Sequence, residues 1–490
     1  MPCHASFLTR IRPIRLAFFC TMALASGCTL APTYQRPSLP VADHWPKNVT
    51  EQEAKPVTAP ATTHDMAWQN FFADPALQRL ITLSLTNNRD LKVAALTIEL
   101  VRAQYQIQRA TLFPSISANG QGLGQHTPTT LRPLGQPPVM HQYTAGIGFS
   151  AYELDFFGRL RSLTEQALEG YFAQQQTKLS AQISLVAEVA STWYTLLADR
   201  QRLYIAKNIL DAREQTFELT ELQVALGTAT ELNLNQAEAA VQSARSDIAA
   251  ITNQVERDRH ALTLLVGTTI PAEWLGDATL DKQADLPELP VGLPSDVLLA
   301  RPDIVAAEHQ LKAANANIGA ARANFFPRIT LTGMAGGGST SLGSLFKAGS
   351  DAWSFGPTIT LPLFTGGSNL ALLDAAKIQR DIAVANYEKA IQTAFREVSD
   401  MLVQHDTVAQ QWQAQLQQTE AVTRNTLLTE ARYQMGVDNY LTLLNSKLAL
   451  YSAQQTLTSL RLAKLATQVT LYKVLGGGWQ TAEPSEEAPT

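Results

Sequence analysis

Two hydrophobic rhythms alternate along this chain, and the alternation occurs twice. In the first, apolar residues recur at helical steps. Phe172, Leu179, Ile183, Val186, Ala190, Trp193 and Leu197 are spaced by seven, or by alternating four and three, as are Ile391, Phe395, Val398 and Leu402. Heptad spacing predicts helices that bury a narrow seam against other helices. In the second rhythm the period drops to two. Within YTAGIGFSAYEL, Ala145, Ile147, Phe149 and Ala151 face one way, while Thr144, Gly146, Gly148 and Ser150 face the other. Ser115–Gly124 supplies the partner strand. The pattern returns at Ile329, Leu331 and Gly333, then at Trp353, Phe355, Ile359 and Leu361. Strands of roughly ten residues, apolar on one face and small or polar on the other, match transmembrane barrel strands, although a soluble hairpin alternates in the same way.

The recurrence is a duplication. Arg322–Gly333 (RANFFPRITLTG) repeats Arg109–Gly120 (RATLFPSISANG), and each copy stops a helical run at a proline, Pro114 or Pro327. Phe157 corresponds to Phe364, Gly227 to Gly436 and Gly267 to Gly476, the last two pairs with one common offset. Self-similarity of this kind marks repeated structural units. Each half therefore reads as a helix (about Asp90 to Leu112 in the first), a β-hairpin and a long helix, then a turn at a glycine and a return helix. The long stretches, Phe157 to Gly227 and Phe364 to Gly436, would span ~105 Å at ~1.5 Å per residue. The helix before each hairpin and the return helix nearly sum to the long one, so they are expected to stack end to end beside it. The expected boundaries are 66–270 for the first repeat (hairpin about 113–153), 271–295 for a Pro-rich linker, and 296–476 for the second repeat (hairpin about 327–363). A tail follows at 477–490. The fold class is mainly α with a β-barrel part. Lipid tolerates no unpaired sheet edge, and four strands cannot close a barrel; several copies of the chain can, and three would give twelve strands.

The N-terminus changes the picture further. Arg10, Arg12 and Arg15 precede the apolar run Leu16–Ala25, followed by Ser26, Gly27 and Cys28. This is the pattern of a signal peptide, residues 1–27. The run is too short to cross ~30 Å of hydrocarbon as a helix. A cysteine directly after small residues resembles a bacterial lipobox, with Ala25 standing where Leu is commonest, and implies a covalent lipid on Cys28. Such chains anchor because each buried methylene contributes ~0.8 kcal/mol. Thr29 in place of Asp points to the outer membrane. Residues 28–65, rich in Pro, Thr and Ala, read as an extended tether.

Composition mainly excludes. Cys3 and Cys20 lie in the leader, so the mature chain keeps one thiol and forms no internal disulfide. A net charge of −5, with no basic cluster beyond the extreme N-terminus, argues against nucleic acid. The histidines are scattered without metal-ligand spacing. Neither a phosphate loop nor a nucleophile or acid–base constellation is present, so no enzyme activity, energy source or cofactor beyond the lipid is expected.

Five segments in order, CTLAPTYQRPSLP, Leu298–Leu331, LPLFTGG (Leu361–Gly367), ARYQMGVDNYLTLLNS (Ala431–Ser446) and LYKVLGGGW (Leu471–Trp479), resemble the TolC family of outer-membrane efflux proteins. The resemblance covers nearly the whole chain and is closest to the lipoprotein, NodT-type branch that serves resistance-nodulation-division pumps. It implies a homotrimer with a twelve-stranded barrel in outer-membrane lipid, continuous with a helical tunnel in the periplasm. A periplasmic adaptor and a proton-driven inner-membrane pump would dock at the far end. The conduit would be passive and export small molecules such as drugs; the alternative is the conduit of a type I protein-secretion system. The resemblance also places a gate in Tyr433–Asn445. Leu441 falls at an apolar ring position. Asn445 stands where Asp is usual, and Thr442 where some members carry a second Asp, which puts charge gating there in doubt. Tyr433 is expected to hold the tip shut by an inter-helix hydrogen bond. Asp438, and Glu231 in the first half, would supply negative charge at the tip instead, with Leu232 and Asn233 beside Glu231 in the same aperture.

Overall fold

A computed structural model describes residues 29–43, 45, 66–276, 279–287 and 295–477. The signal peptide, Cys28, and parts of the tether, linker and tail lie outside the described residues. The helices are α1 (Trp68–Phe71), α2 (Pro75–Asn87), α3 (Arg89–Ala110), α4 (Arg159–Ala225), α5 (Glu231–Val266), α6 (Ala272–Leu275), α7 (Pro302–Ala323), α8 (Ser368–Gln434) and α9 (Tyr440–Val474). The strands are β1 (Ile116–His126), β2 (Val139–Leu154), β3 (Arg328–Ser339) and β4 (Asp351–Thr360). Among the described residues no helix is long and apolar enough to cross a membrane. The chain divides into two compact units.

The first unit takes the described residues up to Ser38, with Ile98–Gln174 and Ala306–Tyr387. Its centre is one antiparallel sheet in the order β1-β2-β3-β4, so the hairpins of the two halves join through β2 and β3. One row of paired residues runs Ala118, Ile147, Ala335, Trp353, and the next Ile116, Phe149, Gly333, Phe355. Directly paired residues share a face, so these rows make one apolar surface. It is open to its surroundings, with Trp353 80% and Ile147 62% exposed.

Simple alternation fails at one place. Ser150 and Ala151 together oppose Thr332, because the register shifts between Phe149 and Tyr152. Ala151 has a left-handed φ of 56°, and its N–H donates to Thr332 Oγ1 at 3.2 Å. This β-bulge means that Ala151 does not continue the row of Phe149, contrary to the alternation. Tyr152 and Leu154 continue it instead, opposite Leu331 and Ile329.

The part of the tether in this unit is docked, not free. Leu30 O accepts from Arg322 Nη1 at 3.0 Å and Pro32 O from Asn315 Nδ2 at 2.7 Å. Arg36 forks onto Glu308, with Nη2 to Oε2 at 2.8 Å, and Tyr34 Oη donates to Oε1 at 3.1 Å. Positions 308, 315 and 322 lie seven apart, so α7 presents one polar side chain every two turns to the extended strap. Gly319 gives the strap room, since a Cβ there would meet Ala31 N at 2.8 Å. Burial opposes ionisation of Glu308, but Arg36, Lys312 and the Tyr34 hydroxyl outweigh it and hold its pKa below the usual range.

The second unit takes the described residues of Leu39–Thr97, Gln175–Val305 and Glu388–Thr490. Its core gathers Phe71, Leu77 and Ile81, the α4 run Val186, Val189, Trp193 and Leu197, Leu262 of α5, and Leu465 and Tyr472 of α9. Segments outside the repeat helices, α1–α2 and the region of Ile270 to Leu286, fill the same core. Asp74 explains how α2 starts there. One carboxylate oxygen accepts from Ala76 N at 2.9 Å, and the other takes the buried Trp193 Nε1–H at 2.9 Å.

The end-to-end stacking of the shorter helices has a specific joint in each half. Asn88 Oδ1 caps α3 by accepting from Leu91 N, while its Nδ2 donates to Leu265 O near the end of α5, both at 2.9 Å. In the second half Arg301 Nη1 donates to Val474 O at 2.8 Å, and the guanidinium also holds Asp303 and Glu397. Position 267 needs glycine twice over, since its φ is left-handed at 76° and a Cβ there would come within 2.5 Å of Asn87 O.

Candidate functional site

The long helices of the second unit reverse at two tips, Gln223–Asn233 and Arg432–Thr442. Both turns are built on the same bonds. Gly227 N–H donates to Val224 O and Gly436 N–H to Tyr433 O, each at 2.9 Å, with the glycines left-handed at φ 70° and 74°. A backbone carbonyl one residue earlier, Gln223 O or Arg432 O, then captures the turn amides Thr228 N or Val437 N. A side-chain cap starts each return helix. Thr230 Oγ1 accepts from Asn233 N at 3.3 Å, and Asn439 Oδ1 accepts from Thr442 N at 2.9 Å. Glycine supplies the conformation that L-residues disfavour, and the caps satisfy amides that a helix start leaves unpaired.

The side chains differ. At the second tip Arg432 grips Asp438 with two bonds, 2.8 and 2.9 Å. The hydrogen bond and charge of Arg432 hold the Asp438 carboxyl below its ordinary pKa, and Asp438 in turn raises that of Arg432. Asp438 is thus an ion-paired group, whereas the sequence placed it as a source of tip charge. Tyr433 packs edge-on against Tyr440 at 6.3 Å. Among the described residues of this one chain its hydroxyl forms no hydrogen bond to another helix. The first tip has Gln223, Val224, Ala229 and Glu231 at the corresponding positions and carries neither feature.

The remaining residues singled out by sequence sit where a partner would meet them. Leu441 is 52% and Leu232 65% exposed, and Thr442, Asn445 and Glu231 are exposed as well. Thr442 is committed to the cap, its Oγ1 also donating to Asn439 Oδ1 at 2.9 Å. Asn233 contributes its backbone amide to the first cap. Below the second tip, α8 and α9 are sewn together at seven-residue steps: Thr426 Oγ1 donates to Ser446 O at 3.1 Å and Thr419 Oγ1 to Ala453 O at 3.4 Å. Arg432 and Asn439 were not read from the sequence. The usable signal was an Arg six positions before an Asp across a turn glycine, with Asn as the next residue.

Among the described residues no group of His, Cys, Asp and Glu is placed to hold a metal. Burial, followed by a hydrogen bond that protonated Asp258 donates to the Asp199 carboxylate, raises the pKa of Asp258 on α5 to about 6.

The sequence pattern of the family described as outer membrane efflux protein matches residues 80–268 and 293–477. The probable efflux pump outer membrane protein TtgC of Pseudomonas putida is 48% identical over 96% of this chain and 98% of its own length. Outer membrane protein OprJ of Pseudomonas aeruginosa is 39% identical over 94% and 95%. The open-state MtrE outer membrane channel of Neisseria gonorrhoeae superposes with a TM-score of 0.85 at 38% identity, over 93% of this chain and all of its own.

Proposed function

The chain belongs to the outer membrane efflux protein family, and from this we propose that it is the outer-membrane channel of a tripartite efflux pump, a passive conduit for small toxic molecules. One observation carries the reading. The four-stranded sheet has an exposed apolar face and two free edges, β1 and β4. Such a sheet is stable in lipid only when its edges are paired. A rotation that sets β4 of one chain beside β1 of the next closes a ring, and three chains give twelve strands. Exposed stripes such as Val93, Leu96, Leu100 and Ile107 on α3, which no contact in a single chain explains, offer surface for the same packing. The exposed apolar tip residues Leu441, Met435 and Val437 are the natural seat for a periplasmic adaptor, beyond which a proton-driven inner-membrane pump supplies the energy. A lipid on Cys28 adds an anchor.

The test is a deletion strain exposed to drugs, dyes, solvents and metals, complemented by wild-type and Cys28→Ala genes. Hypersensitivity restored by the wild-type gene is the expected result. A normal profile together with a protein missing from the culture medium would replace the efflux reading with protein secretion.

A further inference from the structure

The face of the sheet opposite Trp353 and Ile147 is polar and almost uncharged. Among the strand residues the Asp, Glu, Lys and Arg side chains are only Glu153, Arg328 and Asp351. Asp351 pairs with Gly337 at one end of β4, on the apolar face. Glu153 pairs with Thr330, and Arg328 lies two residues before Thr330 on the same strand, so Glu153 and Arg328 share the polar face at the other end. There Glu153 is enclosed. Arg159 at the start of α4 forks onto it at 2.8 and 2.7 Å, and Arg328 Nε approaches its Oε2 at 3.0 Å. Two guanidinium groups around one carboxylate leave an excess positive charge. The neighbouring Asp155–Arg161 pair, at 3.3 Å, adds none. Arg159 already saturates Glu153, which is 14% exposed, whereas Arg328 is 50% exposed. The Nη donors of Arg328 have no partner among the described residues, and its side chain borders a cavity of about 430 Å³ shared with Arg159, Asn324 and Asn369.

We propose that Arg328, braced by Glu153 and Arg159, is a selectivity residue that makes the conduit prefer anionic solutes where the sheet meets the helices. The proposal rests on the channel reading: an apolar face turned to lipid leaves the polar face turned to the lumen. Three chains then place three half-exposed guanidinium groups around one axis. Rings of Arg or Lys select anions in pores, as acidic rings select cations. At the second tip nothing opposes this, because Asn445 and Thr442 are uncharged and Asp438 is paired with Arg432; the exposed Glu231 of the first tip is the carboxylate that the Arg328 ring must outweigh.

The experiment is the reversal potential of the purified full-length protein in planar bilayers under a potassium chloride gradient, for wild type, Arg328→Gln and Arg328→Lys. Wild type is expected to pass chloride over potassium by roughly twofold or more in ~0.1 M salt, with the preference fading at ~1 M as charges are screened. Arg328→Lys keeps the preference; Arg328→Gln abolishes it at unchanged step size. A wild-type channel selective for potassium overturns the proposal whatever the variants do. So does an Arg328→Gln channel with wild-type selectivity, which leaves the channel reading intact. A protein that forms neither trimers on a mild-detergent gel nor conductance steps sinks the channel reading, and the ring with it.

Discussion

The two halves of this chain hold the same backbone bonds with different chemistry. At each joint the residue before the shorter helix captures a carbonyl near the end of the return helix. Asn88 takes Leu265 O and Arg301 takes Val474 O, and the repeat places these two donors, and these two acceptors, at equivalent positions. A neutral amide does in the first half what a guanidinium, 10% exposed and flanked by Asp303 and Glu397, does in the second. Burial works against the charge of Arg301, but the two carboxylates outweigh it and raise its pKa. The tips repeat the contrast: matched glycines and caps, with an Arg432–Asp438 clamp on one copy alone. Duplication conserved the bonds the backbone must make and left the side chains free to specialise.

The largest expected difference lies at the joints. Arg301→Met leaves the Val474 carbonyl without its charged donor and removes the pairs to the partly exposed Asp303 and Glu397, and should cost about 2–3 kcal/mol in thermal or denaturant unfolding. Asn88→Ala removes a cap and one bridging bond, and should cost about 1–2 kcal/mol. Equal losses would show that the joints are energetically alike despite their chemistry.

The return helices differ in a way that pH can expose. Asp258 on α5 is buried between Val255 and Leu262 beside Asp199, whereas its counterpart on α9 is the uncharged Thr467. Asp199 is also paired with Arg202, Gln254 Nε2 donates to Asp258 Oδ1 at 2.8 Å, and Arg257 lies near enough to favour the ionised form. The folded chain binds the Asp258 proton more tightly than the unfolded chain, whose carboxyl titrates near 3.8. The destabilisation is therefore complete above about pH 6 and is relieved as pH falls from about 6 toward 3.8. The full shift would be worth ~3 kcal/mol, reduced to about 1–2 kcal/mol by the water that reaches the pair. Asp258→Asn should raise Tm near neutral pH and have little effect at the acid end of that window. A pH-independent gain would show that the pair does not share a proton.

The smallest effect is expected at the tips. Arg432→Gln should raise leak conductance modestly, while Gln223→Ala, its first-half counterpart, should not. Because the Asp438 pKa is depressed, the clamp is present above the ordinary carboxyl range and lost as pH falls through the lowered value. Strong salt should weaken it as well, since both partners are in water. Equal leaks from the two substitutions would remove the distinction between the tips.

Much was legible without coordinates, because it rests on local rules. The repeat, the turn glycines Gly227 and Gly436, the heptad seams and the two alternating hairpins are short-range patterns, and each imposes its own conformation. Alternation misplaced Ala151, because a bulge is a local surplus of one residue that only the partner strand reveals.

The residues of the amino-acid sequence determined the helix and strand plan, its duplication, the polar and apolar faces, and the tip segments. Tertiary structure alone decided that Asn88 and Arg301 make the same bond, that the strap docks on Glu308, Asn315 and Arg322, that Asp438 is neutralised, and that Arg328 stands half free beside Glu153. The physical reason is range. Hydrophobic period and backbone conformation are set by neighbours a few positions away. Charge pairing and pKa depend on distance in space, between residues as far apart in the chain as Arg36 and Glu308 or Arg301 and Val474.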